Sequence, residues 1–250
     1  MTLVLTGSTQ GQGPGQGQSG GRGAAPAPPT PRASAPIDLT GYWVAYVTED
    51  WRWRMVTPAK GDYASIPLNV DGKRRADTWD PAKDEAAGEQ CKSYGAPGLM
   101  RAPTRLHITW LDDTTLKLET DHGMQTRLLQ FSPRSSTESA PTLQGVTTAQ
   151  WVIGAGGRAR GGVRRGSLKT VTTRLRPGYL RKNGVPYSSS TIFTEYWDTL
   201  TGPPNNTQWL VVTNVVDDPA NLQTPWVTSV HFKKESDGAK WDPTRCSSRF

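Results

Sequence analysis

The chain has 250 residues, of which 34% are hydrophobic and 20% charged, and its formal net charge is +7. This length accommodates one large or two small domains, and the lack of any run of about 18 apolar residues excludes a membrane-spanning helix. Glycine and proline are frequent, with 26 and 20 residues, but they stay below the level of low-complexity chains.

Residues 1–36 differ in composition from the rest of the chain. They consist mainly of Gly, Gln, Ser, Ala and Pro, and they end at Pro36. Such a composition cannot bury enough apolar surface to offset the entropy lost on ordering, so we expect a disordered segment. The apolar opening, Leu3–Leu5, is shorter than the hydrophobic core of a signal peptide and lacks a basic start, so we expect the signal peptide of this chain to be incomplete or absent.

The first two predicted strands are rich in aromatic residues. Gly41–Val47 combines aromatic and β-branched side chains. In Trp51–Met55, large apolar side chains alternate with arginines, which is the period of a half-buried strand. The pattern places Trp53 on one face of this predicted strand and Arg54 on the other.

Two short helices are predicted next. One is Asn69–Thr78, and the other begins at Asp80 and Pro81 and continues over Ala82–Cys91. Aspartate followed by proline is typical of an N-cap and a first helical position. Both helices precede the third strand, where they can cover one end of the sheet as a lid or plug.

The remainder of the chain is predicted to form strands with short connections. Turn signals such as Asn183-Gly184 separate several of them. The candidates are Leu106–Leu111, Thr115–Thr120, Met124–Phe131, Thr147–Ile153, Ser167–Leu175, Thr191–Asp198, Gln208–Val216 and Val227–Lys234. Strands do not alternate with helices, so a parallel sheet is not expected. Because closure hides the edges of a sheet, we predict an all-β fold, a single antiparallel lipocalin-like barrel of about 8–10 strands over residues 37–250.

Several predicted strands carry polar side chains on both faces. In Thr191–Asp198, Glu195 shares a face with Phe193 and Trp197. A solid apolar core does not need such polarity, whereas a barrel lined by aromatic and polar groups suits a ligand cavity. The candidate ligand-binding residues are Arg54, Arg127, Trp53, Trp197 and Tyr196.

Glu195 is the first candidate catalytic residue. Its carboxylate lies in an apolar strand, so it must find a cationic partner or carry a raised pKa. The candidate partners are Arg54, Arg127 and Arg174. Paired with an arginine, Glu195 has a structural role; in an aromatic pocket with a raised pKa, it is an acid or base.

Two histidines are the other candidate catalytic residues. His107 and His231 lie inside predicted strands, where each is either a general base or a hydrogen-bonded structural histidine. His122 lies in a predicted turn and is expected to be exposed. The three histidines and two cysteines lack the local spacing of metal ligands, and the familiar nucleotide and hydrolase motifs are absent. We therefore expect no metal and no cofactor.

A basic segment lies between Trp151 and Thr194. It contains nine arginines and lysines and no acid. Its stretch Arg158–Gly166 is similar to arginine- and glycine-rich segments that bind nucleic acid. Because the stretch occurs once and no aromatic residue interrupts it, a solvated surface loop is favoured over a nucleic-acid or polyanion site.

The two cysteines each follow a Trp-Asp-Pro tripeptide. These are Cys91 and Cys246, 155 positions apart. In an exported protein they can pair, and in a reducing compartment they are two buried thiols.

Motifs spread over about residues 37–246 carry a resemblance. They are Asp38–Trp43, Glu49–Met55, Gly61–Ser65, Trp79–Pro81, Gly88–Cys91, Arg176–Gly184, Thr194–Tyr196, Asp218-Pro219 and Pro225-Trp226. In these motifs the chain resembles a group of uncharacterised exported bacterial proteins. The resemblance implies a periplasmic or extracellular location, a lipocalin-like barrel and paired cysteines. We therefore expect a Cys91–Cys246 bond that holds the C-terminal tail against the segment covering the barrel.

Three functions are compatible with these expectations. The first is an exported barrel that binds a small, partly apolar ligand. The second is a cofactor-independent isomerase, hydratase, lyase or cyclase, in which Glu195 and His107 or His231 move a proton and Arg54 or Arg127 holds negative charge. The third is a scaffold that contacts the cell envelope or a polyanion. A barrel alone does not choose among them, and a monomer and a dimer are both open.

Overall fold

The computed structural model describes residues 1–2, 7, 27–132, 140–153, 166–202 and 205–249. Most of the N-terminal segment and the arginine-rich stretch 158–165 lie outside these residues. Residues 30–36 contact the barrel, because the Trp151 indole donates a hydrogen bond to the Pro31 carbonyl at 2.8 Å and the Arg32 amide donates to the Asp113 carbonyl at 3.1 Å. Contact with the barrel thus begins before the predicted boundary at residue 37.

The described residues contain eleven strands, of which nine form a closed barrel and two form a separate hairpin. In chain order the strands are β1 (Gly41–Ala45), β2 (Arg105–Asp112), β3 (Thr115–Thr120), β4 (Thr126–Gln130), β5 (Val146–Ile153), β6 (Gly166–Thr173), β7 (Gly178–Arg181), β8 (Val185–Tyr187), β9 (Ile192–Gly202), β10 (Thr207–Asp217) and β11 (Trp226–Glu235). The barrel order is β1-β11-β10-β9-β6-β5-β4-β3-β2, and pairing of β1 with β2 closes it. The barrel prediction is confirmed.

The expectation of a purely antiparallel sheet is wrong. Strands β4 and β5 are parallel, with Leu129 opposite Thr147, so the sheet is mixed. A parallel pair needs a long connection that returns the chain to the same end of the sheet. Residues 133–139 of the connection between these strands lie outside the described residues, and in its described part Thr142 forms a bridge with Leu175.

Short helices cover one end of the barrel. They are α1 (Trp51–Arg54), α2 (Val70–Ala76), α3 (Pro81–Ala86) and α4 (Ala96–Leu99), with a 3₁₀ turn at Lys92–Tyr94. The two predicted helices are present: the Asn69 side chain accepts from the Gly72 amide at 2.7 Å, and the Asp80 side chain accepts from the Ala82 amide at 3.0 Å. We call residues 50–103 together with the β7–β8 hairpin the cap.

The predicted strand Trp51–Met55 is wrong, because these residues form the one-turn helix α1. Asp50 turns the chain in the left-handed region, with φ of 53°. Trp51 then faces solvent, while Arg54 turns inward and its Nε donates to the Arg101 carbonyl at 2.8 Å. Five alternating residues are too few to separate a strand from a helical turn, and this tertiary contact decides the outcome.

Two apolar clusters fill the protein. The barrel core contains Trp43, Leu106, Ile108, Leu118, Leu168, Trp197, Leu210 and Phe232, all at most 1% exposed. The cap core contains Tyr63, Leu175, Leu180, Val185, Tyr187, Phe193, Val216 and Trp226. Large apolar side chains of the barrel strands therefore pack against one another inside the barrel.

The β7–β8 hairpin brings the basic segment into the cap. Its turn uses Gly184 with φ of +82°, a conformation that favours glycine. The Asn183 side chain anchors the turn, since its Nδ2 donates to the carbonyls of Ala59 at 3.0 Å and Asp62 at 2.9 Å. Arg181 and Lys182, directly before this turn, are therefore part of the cap, whereas the stretch 158–165, interpreted from the sequence as a solvated loop, lies outside the described residues.

The Cys91–Cys246 disulfide is present, with 5.1 Å between the Cα atoms. It ties the C-terminal tail to the cap, as predicted. The tail also pairs with the turn after β3, where Thr244 and His122 form a parallel bridge. Among the described residues, no helix is long and apolar enough to cross a membrane.

Candidate functional site

Glu195 pairs with Arg127 inside the barrel. The two guanidinium nitrogens Nη1 and Nη2 donate to the two carboxylate oxygens at 2.9 and 2.5 Å, and both side chains are 0% exposed. Thr170 adds a hydrogen bond to Oε2 of Glu195 at 2.9 Å, and the Trp197 indole donates to the Thr170 hydroxyl at 3.2 Å. Of the three arginines considered as partners, the structure selects Arg127, in a geometry typical of a structural ion pair.

The structure does not bring the candidate histidines to Glu195. Glu195 shares the inward face of β9 with buried Phe193 and Trp197. His107 alternates with the buried residues of β2 and stacks on Tyr42, with ring centroids 4.2 Å apart. These positions put the histidine and the glutamate on opposite faces of the barrel wall.

His231 lies on the outer face of β11. Its Nδ1 is 3.2 Å from Oε2 of Glu49. Tyr196 also faces outward, where the Lys169 ammonium lies 5.7 Å from its ring centroid. Among the candidate ligand-binding residues, Arg127 and Trp197 therefore face the barrel interior and Tyr196 faces outward, while Trp53 and Arg54 lie in the cap.

Three arginines from distant parts of the chain meet in the cap. Arg54 ends α1, Arg101 follows α4 and Arg181 ends β7, and each is at most 6% exposed. All three line one cavity of about 30 Å³, together with Trp53 and Lys182. Burial lowers the pKa of Arg54 and of Arg181 to about 10, and the positive charge of Arg101 lowers both further while nearby carboxylates oppose the shift. Like charges have thus been assembled at a cost in desolvation and repulsion.

Each arginine has partners, but two donors in this cluster have none. Arg54 pairs with Glu49 through Nη1, and Arg101 donates from Nη2 to Asp50 at 2.7 Å. Within the described part of the chain, Nη2 of Arg54 and Nη1 of Arg101 are buried without any hydrogen-bond acceptor. A buried charged donor without an acceptor is costly, and an anion in the cavity removes this cost.

Aromatic rings flank the arginines. The guanidinium of Arg181 lies 5.2 Å from the ring centroid of Trp53, and that of Arg101 lies 4.8 Å from the ring centroid of Trp226. The Trp53 indole is held in place because it donates to Asp62 at 3.0 Å. Stacking of this kind orients the guanidinium planes and adds apolar surface beside the charged groups.

Lys182 lines the same cavity and belongs to a second cluster. Its Nζ is 3.1 Å from Nε2 of His122 and 3.3 Å from the hydroxyl of Tyr94. The C-terminal tail completes the cluster, because Nδ1 of His122 lies 3.2 Å from the Thr244 hydroxyl and the Ser247 amide donates to the Tyr94 hydroxyl at 3.2 Å.

The two basic groups of this second cluster, Lys182 and His122, both have lowered pKa values. Burial lowers the pKa of Lys182 to about 7. Burial, together with the charge of Lys182, lowers the pKa of His122 to about 4. At neutral pH His122 is therefore a neutral imidazole, and a substantial fraction of Lys182 is a neutral amine. His122 is half-buried, in contrast to the exposed position expected from the sequence.

Sequence reasoning missed Arg101, Arg181, Lys182, Tyr94 and His122 as site residues. Arg181 and Lys182 were counted in a basic surface segment. The available signal was the Asn183-Gly184 turn directly after them, since such a turn predicts a hairpin whose strands present side chains to a packed face. Arg101 carries no comparable local signal.

Comparisons with protein-family models, curated proteins and solved structures find no match for this chain.

Proposed function

We propose that this protein binds a small, partly apolar anion in the cap cavity. The observation that carries the proposal is the pair of buried guanidinium donors, Nη2 of Arg54 and Nη1 of Arg101, that have no acceptor among the described residues. Their side chains are 1% and 7% exposed. Both line one cavity, so one anionic group can accept from both arginines.

The cavity favours a carboxylate as the anionic group. Its volume of about 30 Å³ exceeds the roughly 10–15 Å³ that one water molecule needs, so it admits the charged end of a ligand and not a whole large molecule. Trp53, Val56, Pro103 and Leu180 supply apolar lining. An acid with a short hydrocarbon or aromatic body satisfies the charge and this surface together.

The barrel and the cap have separate roles in this proposal. Packed side chains fill the barrel core, so the barrel acts as the rigid support and the ligand binds under the cap. The Cys91–Cys246 bond supports an oxidising, exported location. We therefore propose a periplasmic or extracellular location. The chain's motifs also support our proposal that it belongs to the group of exported bacterial proteins with a lipocalin-like barrel.

The enzymatic alternative built on Glu195 gains no support from the geometry. Glu195 is engaged by Arg127 inside the barrel, whereas His107 and His231 lie on its outer face. The scaffold alternative depends on the basic segment between Trp151 and Thr194, whose arginine-rich stretch 158–165 lies outside the described residues. Binding at the cap remains the better-supported function.

Titration calorimetry with benzoate and phenylacetate tests the proposal. We expect saturable binding that weakens about tenfold or more in Arg101→Gln, because a charge-assisted contact contributes about 1.5–3 kcal/mol. The Trp53 fluorescence should respond to the same titration, since its ring stacks on Arg181.

Arg74→Gln is the matched control. Arg74 is an exposed arginine of α2 paired with Asp71, and it does not line the cavity. We expect its affinity to equal that of the unmodified protein. Arg54→Lys is a second variant, which keeps the positive charge at this position and is therefore less prone to loss of folding than a neutral substitution. Binding that is unaffected by Arg101→Gln, in a variant with native circular dichroism, overturns the proposal.

A further inference from the structure

We propose that a second site, on the outer surface of the cap, binds an aromatic carboxylate whose ring system lies in a cleft between the β7–β8 hairpin and α2. The cleft has a volume of about 370 Å³, which is within the size range of small-molecule sites. Leu180 of the hairpin lines the cap cavity, whereas Tyr179 lines this cleft. The hairpin therefore separates the two sites, and the inference does not depend on the proposed function.

The floor of the cleft is the outward face of the hairpin. Tyr179 lies opposite Pro186 in the strand register, and both are less buried than their neighbours along the strands. Pro177 extends this apolar surface. Lys92 forms one side of the cleft, where its ammonium pairs with Asp84 at 2.8 Å and lies 5.7 Å from the ring centroid of Tyr179. A flat ring system packs favourably on such an aromatic and proline surface.

Arg75 supplies the charge that selects an anion. It is the last of three consecutive basic residues in α2. Lys73 pairs with Asp77 at 2.9 Å, and Arg74 pairs with Asp71 at 2.8 Å. Arg75 lines the cleft and forms no ion pair with any residue that the structure describes. None of the described residues that line the cleft is acidic, so the unpaired guanidinium favours a negatively charged ligand.

A buried hydrogen-bond network holds Arg75 at the wall of the cleft. Its Nη1 donates to the Ala220 carbonyl at 2.7 Å and to Oδ1 of Asn221 at 2.8 Å. Asn221 is 2% exposed, and its Nδ2 donates to Asp218 at 2.7 Å. Asp218 also accepts from the amide and the hydroxyl of Ser188, at 2.8 and 2.6 Å. All of these residues except Asp218 line the cleft, so its wall is organised before a ligand binds.

The same network favours a small molecule over a peptide. An extended peptide gains affinity from hydrogen bonds to main-chain groups. In this cleft, however, the Ser188 amide is bonded to Asp218, and the Ala220 carbonyl is bonded to Arg75. An aromatic carboxylate needs neither group. Its ring lies on the floor, and its carboxylate accepts from Nε or Nη2 of Arg75, which form no hydrogen bond with another described residue.

Titration calorimetry with 2-naphthoate tests this site in the full, disulfide-bonded chain. The background is Arg101→Gln, which weakens binding in the cap cavity, and we expect one saturable site in it. Arg75→Gln should weaken this binding about three- to tenfold, because a charge-assisted hydrogen bond is strong but water competes for it at an exposed arginine. Ala220→Trp should abolish binding, because the added ring fills the cleft while the backbone carbonyl that holds Arg75 is kept.

Arg74→Gln is the matched control, because Arg74 directly precedes Arg75 in α2 and does not line the cleft. It should leave the affinity for 2-naphthoate unchanged. 2-Naphthol keeps the ring system and lacks the carboxylate, so it should bind more weakly and should not respond to Arg75→Gln.

Two results overturn the inference. One is 2-naphthoate binding that persists in Ala220→Trp with native circular dichroism, or that responds equally to Arg74→Gln and Arg75→Gln. The other is the absence of a 2-naphthoate site in the Arg101→Gln background, including the case in which sedimentation shows that a second copy of the chain covers the cleft. If benzoate still binds the unmodified protein and depends on Arg101, the proposed function survives this failure.

Discussion

At the scale of single residues, the protein uses buried charge in two different ways. The Arg127–Glu195 pair makes two mutual hydrogen bonds and receives a third from Thr170, although Nε of Arg127 is buried without an acceptor among the described residues. In the cap, Arg54 and Arg101 also keep one donor each without an acceptor among the described residues, but both of these arginines line a cavity. A bidentate ion pair in a packed core specifies packing, whereas unpaired donors beside a cavity can be satisfied by a bound anion.

Removal of one member of the Arg127–Glu195 pair should destabilise the fold strongly. Glu195→Gln leaves the Arg127 charge buried without its carboxylate, and we expect a loss of about 3–5 kcal/mol in the free energy of unfolding. Urea denaturation followed by circular dichroism measures it. Because the penalty comes from the unpaired charge, the double variant Arg127→Met with Glu195→Leu should recover most of the loss.

The control for this measurement is Glu119→Gln. Glu119 pairs with Lys117 at 2.9 Å on the partly exposed outer face of β3. Such pairs contribute less than about 1 kcal/mol. If Glu195→Gln costs no more than this control, the interior pair has no special structural role, and Glu195 again becomes a candidate for chemistry.

At the scale of elements, the sequence predicts long patterns well and short ones poorly. The barrel strands from β2 onward follow from extended alternation and turn residues, and α3 follows from Asp80-Pro81, whereas the hairpin strands β7 and β8 were not predicted. The five-residue pattern at Trp51–Met55 fails because a contact 47 positions away, from Arg54 to the Arg101 carbonyl, directs that arginine inward. The parallel β4–β5 pair was missed because both strands carry ordinary alternation, and only the path of the connection sets their relative direction.

The candidate site was only partly predictable for the same reason. Trp53 and Arg54 were named as ligand-binding residues, and both line the cap cavity. The other arginines of the cavity, Arg101 and Arg181, come from distant parts of the chain. A local sequence pattern does not show which distant segments will be in contact. His122 and Tyr94 are joined to Lys182 only by the folding of the hairpin and the tail.

The turn of the β7–β8 hairpin offers a test of how this element positions Lys182. A Cβ at residue 184 would overlap the side chain of Trp79, and the backbone φ is +82°. Gly184→Ala should therefore destabilise the protein by more than the roughly 1 kcal/mol that positive φ alone costs. It should also weaken benzoate binding, because Arg181 and Lys182 at the end of β7 line the cap cavity. Urea denaturation and titration calorimetry measure the two effects.

Gly88→Ala separates strain from overlap. Gly88 has φ of +70°, and a Cβ there meets no atom within 4 Å. It should therefore show only the cost of the backbone conformation, with benzoate binding unchanged. Equal losses in the two variants would show that Trp79 yields to the added methyl group and that the hairpin turn does not hold the site.

At the scale of the whole molecule, the chain closes on itself twice. The sheet closes through β1, which pairs with both β2 and β11. The tail after β11 then returns to the cap and is joined to it by the Cys91–Cys246 bond across 155 positions. This second closure places Thr244 and Ser247 against His122 and Tyr94, so the covalent link and the polar cluster belong to one structural unit.

Loss of the disulfide should therefore change both stability and the chemistry of Lys182. Chain entropy alone predicts a loss of about 5 kcal/mol for a loop of this length. In the double variant Cys91→Ala with Cys246→Ala, release of the tail should also expose the Lys182 cluster to water. The pKa of Lys182 should then rise from about 7 toward its ordinary value of 10.5, because desolvation is what lowers it.

The pH profile of Lys182 acetylation by acetic anhydride, followed by peptide mass spectrometry, reads out this coupling. In the disulfide-bonded protein, acetylation of Lys182 should rise with a midpoint near pH 7, and in the double variant the midpoint should lie higher. Thr244→Val keeps the disulfide and removes only the contact to His122, so its midpoint should move less. A double variant that is destabilised but keeps the same midpoint would show that the tail stabilises the cap without shielding Lys182. A shifted midpoint would establish that the disulfide, far from the barrel core, maintains the environment of the site.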